Sequence, residues 1–188
     1  MKRLLMILAI LLVFAVGASA QVPAKPFTVY VGGGLSMPVS PSAFDDLYKM
    51  GFHGSGGVGF TVSPMFQVIG RVEYHTWGLD KEKYGISDVE GGSFKVIAFG
   101  ADGKFAFGVP GAPIKPFVLG GVGMANISVS DFEYEGETIA TIPSETDFYV
   151  AFGGGVEFKN FFAQFRYVHI MTEGDATGTV PITVGVKF

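Results

Sequence analysis

Hydrophobic and polar positions alternate along most of the chain. Phe27, Val29 and Val31 alternate with Thr28, Tyr30 and Gly32. Phe66, Val68, Val72 and Tyr74 alternate with Gln67, Arg71, Glu73 and His75. Phe148, Phe152, Val156 and Phe158 alternate with Tyr149, Gly153, Gly155 and Glu157. Val180, Ile182, Val184, Val186 and Phe188 alternate with Thr183, Gly185 and Lys187. A period of two puts successive side chains on opposite faces of a strand, one face apolar and one polar. Convincing helical periodicity is absent after residue 20. The pattern predicts eight strands, at about 27–38, 51–63, 65–78, 93–107, 115–127, 146–158, 161–172 and 179–188. In the fourth strand, Phe99 and Phe105 take the parity opposite to Asp102 and Lys104, which favours that phase. Gly120 and Gly121 leave the phase of the fifth open.

The connections alternate in length. Ser63-Pro64, Gly108 to Ile114 and Lys159-Asn160 are short. The segments near 39–50, 79–92, 128–145 and 173–178 are mostly longer. Short turns at one end and long loops at the other suit an all-β, eight-stranded, antiparallel, up-and-down transmembrane β-barrel. A spanning strand needs about 9–11 residues, and the chain has room for eight of them.

Residues 1–20 follow a different pattern. Lys2 and Arg3 precede an apolar run from Leu4 to Val16, and Ala18-Ser19-Ala20 offers a small-residue cleavage site before Gln21. This is the pattern of a secretory signal peptide, with 21–188 as the barrel domain. A transmembrane anchor would need about 18 or more apolar residues, and this run is shorter. No later segment is apolar for long enough to form a spanning helix, so a membrane location requires a barrel.

Composition sharpens this reading. The 188 residues include 28 Gly and 19 Phe but no Cys. A cysteine-free chain has no disulfide scaffold, no thiolate nucleophile or metal ligand, and no lipid-modified cysteine. Glycine at this level would suggest disorder, but disorder does not accompany so much Phe and Val. Glycine instead fits a narrow lumen in which large neighbours need space. Formal net charge is −4, and −6 for residues 21–188, where 11 Lys and Arg meet 17 acids. A nucleic-acid partner is not expected at that charge. Fourteen of the acids lie in or beside the four long loops, while Lys25, Lys115 and Lys159 mark the turn end.

The glycine-aromatic strands and the ending Val180-Pro-Ile-Thr-Val-Gly-Val-Lys-Phe188 resemble the small outer-membrane β-barrel proteins of the OmpA/OmpX type. The stretch Lys115-Pro-Phe-Val-Leu-Gly-Gly-Val-Gly123 is also similar to a central strand of that family. The resemblance covers the chain from Gln21 onward. It implies an eight-stranded barrel in the cell outer membrane, surrounded by lipid and lipopolysaccharide, without shared catalytic residues. It also implies that the final strand, through Ile182, Val184, Val186 and Phe188, is an assembly signal for the barrel-assembly machinery.

Candidate chemistry is sparse. Gly54-Ser-Gly-Gly-Val-Gly59 has dinucleotide-fingerprint spacing, but the strand continues through Phe60 to Val62 where that motif needs a helix. His53, His75 and His169 lack metal-site spacing, so neither a metal nor another cofactor is expected. His169-Ile170-Met171-Thr172 occupies a place comparable to the His-x-Ser-Asn motif of outer-membrane lipid A deacylases. The serine is missing, and with it the nucleophile. The expected lumen polar network is Arg71, Glu73, Glu157, Arg166 and Lys187, with Asp102 and Lys104 as additions, because buried charges must pair. Phe27, Phe66, Phe158, Phe161 and Phe162 at the turn side, with Tyr74 and Phe148 toward the loops, are expected to form aromatic girdles. The acidic loops fit either divalent cations bridging to lipopolysaccharide or a solvated repulsive surface.

The expectation is a monomeric, non-enzymatic barrel with a structural, adhesion or surface-interaction role, a polar-plugged lumen and loops open to an extracellular partner. A small pore or lateral channel for small or hydrophobic solutes is the alternative. A lipid A-modifying enzyme is the lesser one.

Overall fold

The computed structural model describes residues 26–84, 89–108, 112–134, 137–172 and 176–188. The signal-peptide expectation for 1–20 lies outside these residues. Eight strands form one closed antiparallel barrel: β1 (Phe27–Ser40), β2 (Gly51–Ser63), β3 (Phe66–Trp77), β5 (Phe94–Ala106), β6 (Ile114–Val129), β9 (Glu145–Phe158), β10 (Phe161–Ile170) and β11 (Thr177–Lys187). Each pairs with its neighbours in chain order, and β11 closes the circle on β1, from Tyr30↔Lys187 to Ser40↔Gly178. Closure leaves no edge strand, so the wall satisfies its own backbone groups.

Parity decides what faces in. On β3, Gln67, Ile69, Arg71, Glu73, His75 and Trp77 are buried, while the residues between them are exposed or, at Thr76, half-buried. The predicted phase of the fourth strand is the observed one: Asp102 and Lys104 point inward, Phe99 and Phe105 outward. The fifth strand turns Phe117, Leu119 and Ala125 inward and Val118 and Val122 outward. Gly54 to Gly59 lies within β2, in the barrel wall. The outward parity of the eight strands is mostly apolar, with polar residues such as Thr76, Asn126 and His169 toward the loop end, and carries a charge only at Lys95, also near the loop end.

Six of the seven girdle aromatics face outward, and Phe162 is the correction. Phe161 is 60% exposed, whereas Phe162 is 5% exposed inside the lumen. Adjacent residues on a strand cannot share a face, so one of the two had to turn in.

The long loops hold structure that the alternating pattern did not announce. A short helix, α1 (Ser42–Leu47), follows β1, and a single turn, α2 (Lys81–Tyr84), follows β3. The strands β4 (Val89–Gly91), β7 (Phe132–Tyr134) and β8 (Glu137–Ala140) form a separate three-stranded sheet in the order β4-β7-β8. Among the described residues no helix is long and apolar enough to cross a membrane.

Glycine makes room for lumen aromatics, at Gly123 and Gly185 among others. A Cβ on Gly123 would lie 2.6 Å from the Tyr149 ring and 2.3 Å from the Phe99 carbonyl oxygen. One on Gly185 would lie 2.5 Å from the Phe162 ring. Gly54 has open space instead, with nothing within 4 Å. Gly123→Ala should therefore destabilise the barrel by about 1–3 kcal/mol through overpacking. Gly54→Ala should stay within about 0.5 kcal/mol of the wild type. Urea unfolding in lipid vesicles measures both.

Candidate functional site

The lumen is filled in layers. Its middle holds a ring of four charges. Arg166 reaches across the barrel from β10 to β3, donating from Nη1 to Glu73 Oε2 at 2.7 Å and from Nη2 to Asp102 Oδ1 at 3.2 Å. Arg71 Nε donates to Asp102 Oδ2 at 2.6 Å, and its Nη1 lies 4.0 Å from Glu73 Oε1. Two guanidiniums thus alternate with two carboxylates, and the formal charge of the ring is zero. Arg166 is 0% exposed. Burying four charges is costly unless each is matched, and alternation around a ring matches all four.

Nearer the turn end lies a second network. Lys104 Nζ donates to Tyr30 Oη at 2.5 Å and to Glu157 Oε1 at 2.6 Å. The Tyr30 hydroxyl donates to Gln67 Oε1 at 2.6 Å. Lys187 Nζ donates to Glu157 Oε2. Phe162 packs edge-on against Tyr30, with ring centroids 5.6 Å apart.

Toward the loops the filling becomes aromatic. His53, His75 and Trp77 stack in series at 5.2 and 5.4 Å. His53 Nε2 meets Thr183 Oγ1 at 2.9 Å, and Ser36 Oγ meets His75 Nδ1 at 3.2 Å. Trp77 Nε1 donates to the Ser36 carbonyl at 2.9 Å. Above the stack, α1 turns Phe44 into the mouth, where its ring centroid lies 4.8 Å from that of Phe94 and 5.7 Å from that of Trp77. Two backbone hydrogen bonds hold this lid to the second long loop: Lys49 N to Gly78 O at 3.0 Å and Asp80 N to Leu47 O at 2.8 Å. Lys83 and Asp46 add an exposed ion pair at 2.6 Å.

The structure therefore places Arg71, Glu73 and Arg166 together with Asp102 in the middle layer. It places Glu157 and Lys187 together with Lys104 in the turn-end layer. Ile182 and Val184 face outward on β11, and Phe188 is 73% exposed beyond it. Sequence reasoning, which counted charges, missed Tyr30, Gln67, Ser36, His53 and Thr183 as lumen groups. Parity was the signal that could have found them, since each lies on the inward face of its strand. Nothing in the alternation pointed to Phe44, because a short helix leaves no period to read.

Ser36, His75 and Glu73 form a serine–histidine–carboxylate chain, with His75 Nε2 3.8 Å from Glu73 Oε2. Ser36 is 0% exposed, and Glu73 is already paired with Arg166. A nucleophile needs access to substrate as well as a base, and this serine is sealed inside the stack. His169 faces outward instead and packs against Tyr167 at 6.2 Å. Among the described residues no group of three His, Asp or Glu could hold a metal ion.

A closed barrel with an apolar outside and a polar, self-paired inside is the architecture of an outer-membrane β-barrel. A family model described as "Outer membrane protein beta-barrel domain" matches residues 6–188. The chain belongs to this family and is an outer-membrane protein. Among solved structures it is similar to Neisserial surface protein A, at 20% identity and a TM-score of 0.59, covering 87% of this chain and 98% of that one. It is also similar to the attachment invasion locus protein Ail of Yersinia pestis, at 17% identity and a TM-score of 0.48, covering 86% and 96%. A third similarity is to the outer membrane enzyme PagL, at 17% identity and a TM-score of 0.49, covering 85% and 98%. Identities this low carry the fold and no more. The chain has no significant match among curated proteins.

Arg166→Met should cost about 3–5 kcal/mol of unfolding free energy, because it leaves two buried carboxylates facing one guanidinium. Adding Glu73→Gln should recover most of that loss, because Arg71 and Asp102 then remain as a matched pair. Urea unfolding of the single and double variants in vesicles measures the difference.

Proposed function

We infer that this protein is a non-conducting, non-catalytic barrel that anchors a surface-interaction platform in the outer membrane. The observation that carries this reading is the ion ring of Arg71, Glu73, Asp102 and Arg166, which crosses the lumen from wall to wall. The stack above it and the Phe44 lid add a second obstruction. A solute passing through would have to separate buried ion pairs, so a small pore is the weaker reading.

The working surface is then the loop end, where the small sheet projects and most of the acids lie. A solvated acidic surface favours adhesion to a cationic partner, and its contacts should weaken with salt. Lipid and lipopolysaccharide surround the apolar outer face. Ile182, Val184, Val186 and Phe188 act as the assembly signal read by the barrel-assembly machinery, a role supported by the outward, alternating arrangement of Ile182 and Val184 on the closing strand. The non-catalytic reading is supported by the sealed Ser36 and by Thr172 standing where the deacylase motif needs an asparagine, with Met171 in place of its serine.

In planar lipid bilayers the purified barrel should show no stable open steps. Large, persistent openings would reject the plugged lumen in favour of a pore. Lipid A from expressing cells should have an unchanged mass spectrum. A species lighter by one acyl chain would overturn the non-catalytic assignment.

A further inference from the structure

We propose that the turn-end mouth of the barrel is a binding site for a small oxyanion, a phosphate or a carboxylate group. The mouth is a hollow of about 160 Å³ whose lining includes Lys104, Lys115, Glu157 and Lys187. A second hollow shares Lys115, Glu157 and Lys187 and adds Lys159. Lys104, Lys115 and Lys187 therefore share the mouth with a single acidic side chain, and Lys159 stands at its rim.

That acid is already engaged. Lys104 holds Glu157 Oε1 and Lys187 holds Glu157 Oε2, so one carboxylate serves two cations. Lys115 lies directly across the β6–β9 ladder from Glu157 and makes no ion pair among the described residues. Lys159 rests against the Phe158 ring, its Nζ 5.3 Å from the centroid. With three lysines and one glutamate lining the mouth, its formal excess of side-chain charge is +2.

Burial makes this excess matter. Lys104 is 6% exposed, so its charge lacks the solvent screening that a surface lysine has. A concave, low-dielectric mouth lined by one sign of charge concentrates the potential and attracts counter-ions. The space suits a small anion, since a water takes about 30 Å³ of the liquid and the hollow exceeds that several times over. Ammonium groups bind oxygen anions by charge-assisted hydrogen bonds, and phosphate and carboxylate oxygens are equivalent in that respect. Short turns face the periplasm in barrels of this class. The anion is thus either a periplasmic solute or the phosphate of a lipid headgroup in the inner leaflet.

The test is calorimetric titration of inorganic phosphate into the full protein in phosphatidylcholine vesicles, with chloride holding ionic strength constant. Saturable one-site binding is expected. Lys115→Gln should weaken it about tenfold, the effect of losing one charge-assisted hydrogen bond. Glu157→Gln should tighten it, because Lys104 and Lys187 lose their competing anion. Heat-modified migration on gels shows whether each variant is folded, and Lys115→Gln, outside every ion pair described, decides the question if Glu157→Gln does not fold. Absence of saturable binding to the wild type, or equal affinity in Lys115→Gln, would overturn the proposal. Repeating the titration with phosphatidylglycerol in the vesicles assigns the source. Competition identifies the headgroup, unchanged affinity identifies the solute, and either supports the site.

Discussion

Barrel closure is the constraint on which everything else depends. Inside a lipid bilayer no water is available to hydrogen-bond a free backbone group, so every strand needs two neighbours. The pairing of β1 with β11 supplies the last of these ladders. Once eight strands close, diameter and interior volume are set together. The interior is then too narrow to leave empty and too polar to fill with apolar side chains alone.

The lumen answers with three kinds of filling at three depths. In the middle, two guanidiniums and two carboxylates neutralise one another across the full width of the barrel. At the loop end, rings stacked from His53 to Trp77 and capped by Phe44 replace charge with surface area. At the turn end, matching is incomplete, because Glu157 serves both Lys104 and Lys187. A ring of equal charges and a mouth with surplus cations call for different behaviour. The first locks, and the second remains open to an anion.

The two ends of the barrel also carry opposite electrostatics. Acids gather in the long loops and lysines at the turns. In a thin molecule this arrangement separates outward-facing contacts from periplasmic ones, and no charge near the middle of the outer face interrupts the lipid contact between them. The glycines belong to the same economy of space: Gly123 beside Tyr149 and Gly185 beside Phe162 leave room that aromatic side chains occupy.

Much of this was legible in the chain itself. A period of two marked the eight barrel strands and most of their inward faces, because alternation is a local property of backbone geometry, while the alternating loop lengths gave their up-and-down order and the phase of the fifth strand stayed open. It placed Asp102 and Lys104 correctly beside Phe99 and Phe105, and it named Arg71, Glu73, Glu157, Arg166 and Lys187 as inward charges. It went astray at Phe162, where a preference for aromatic girdles overrode the parity that Phe161 had already set. Which charges meet was beyond the chain's local pattern. Arg166 and Glu73 lie 93 residues apart and touch only because β10 and β3 stand on opposite sides of a closed wall. Tyr30 and Gln67 meet two strands apart, across β2, and Phe44 reaches Trp77 from the loop between β1 and β2, contacts that also depend on how the wall curves. The sequence alone determined most of the residues that point inward. Only closure of the barrel decided their partners, because distances across a lumen depend on the diameter and stagger of all eight strands at once.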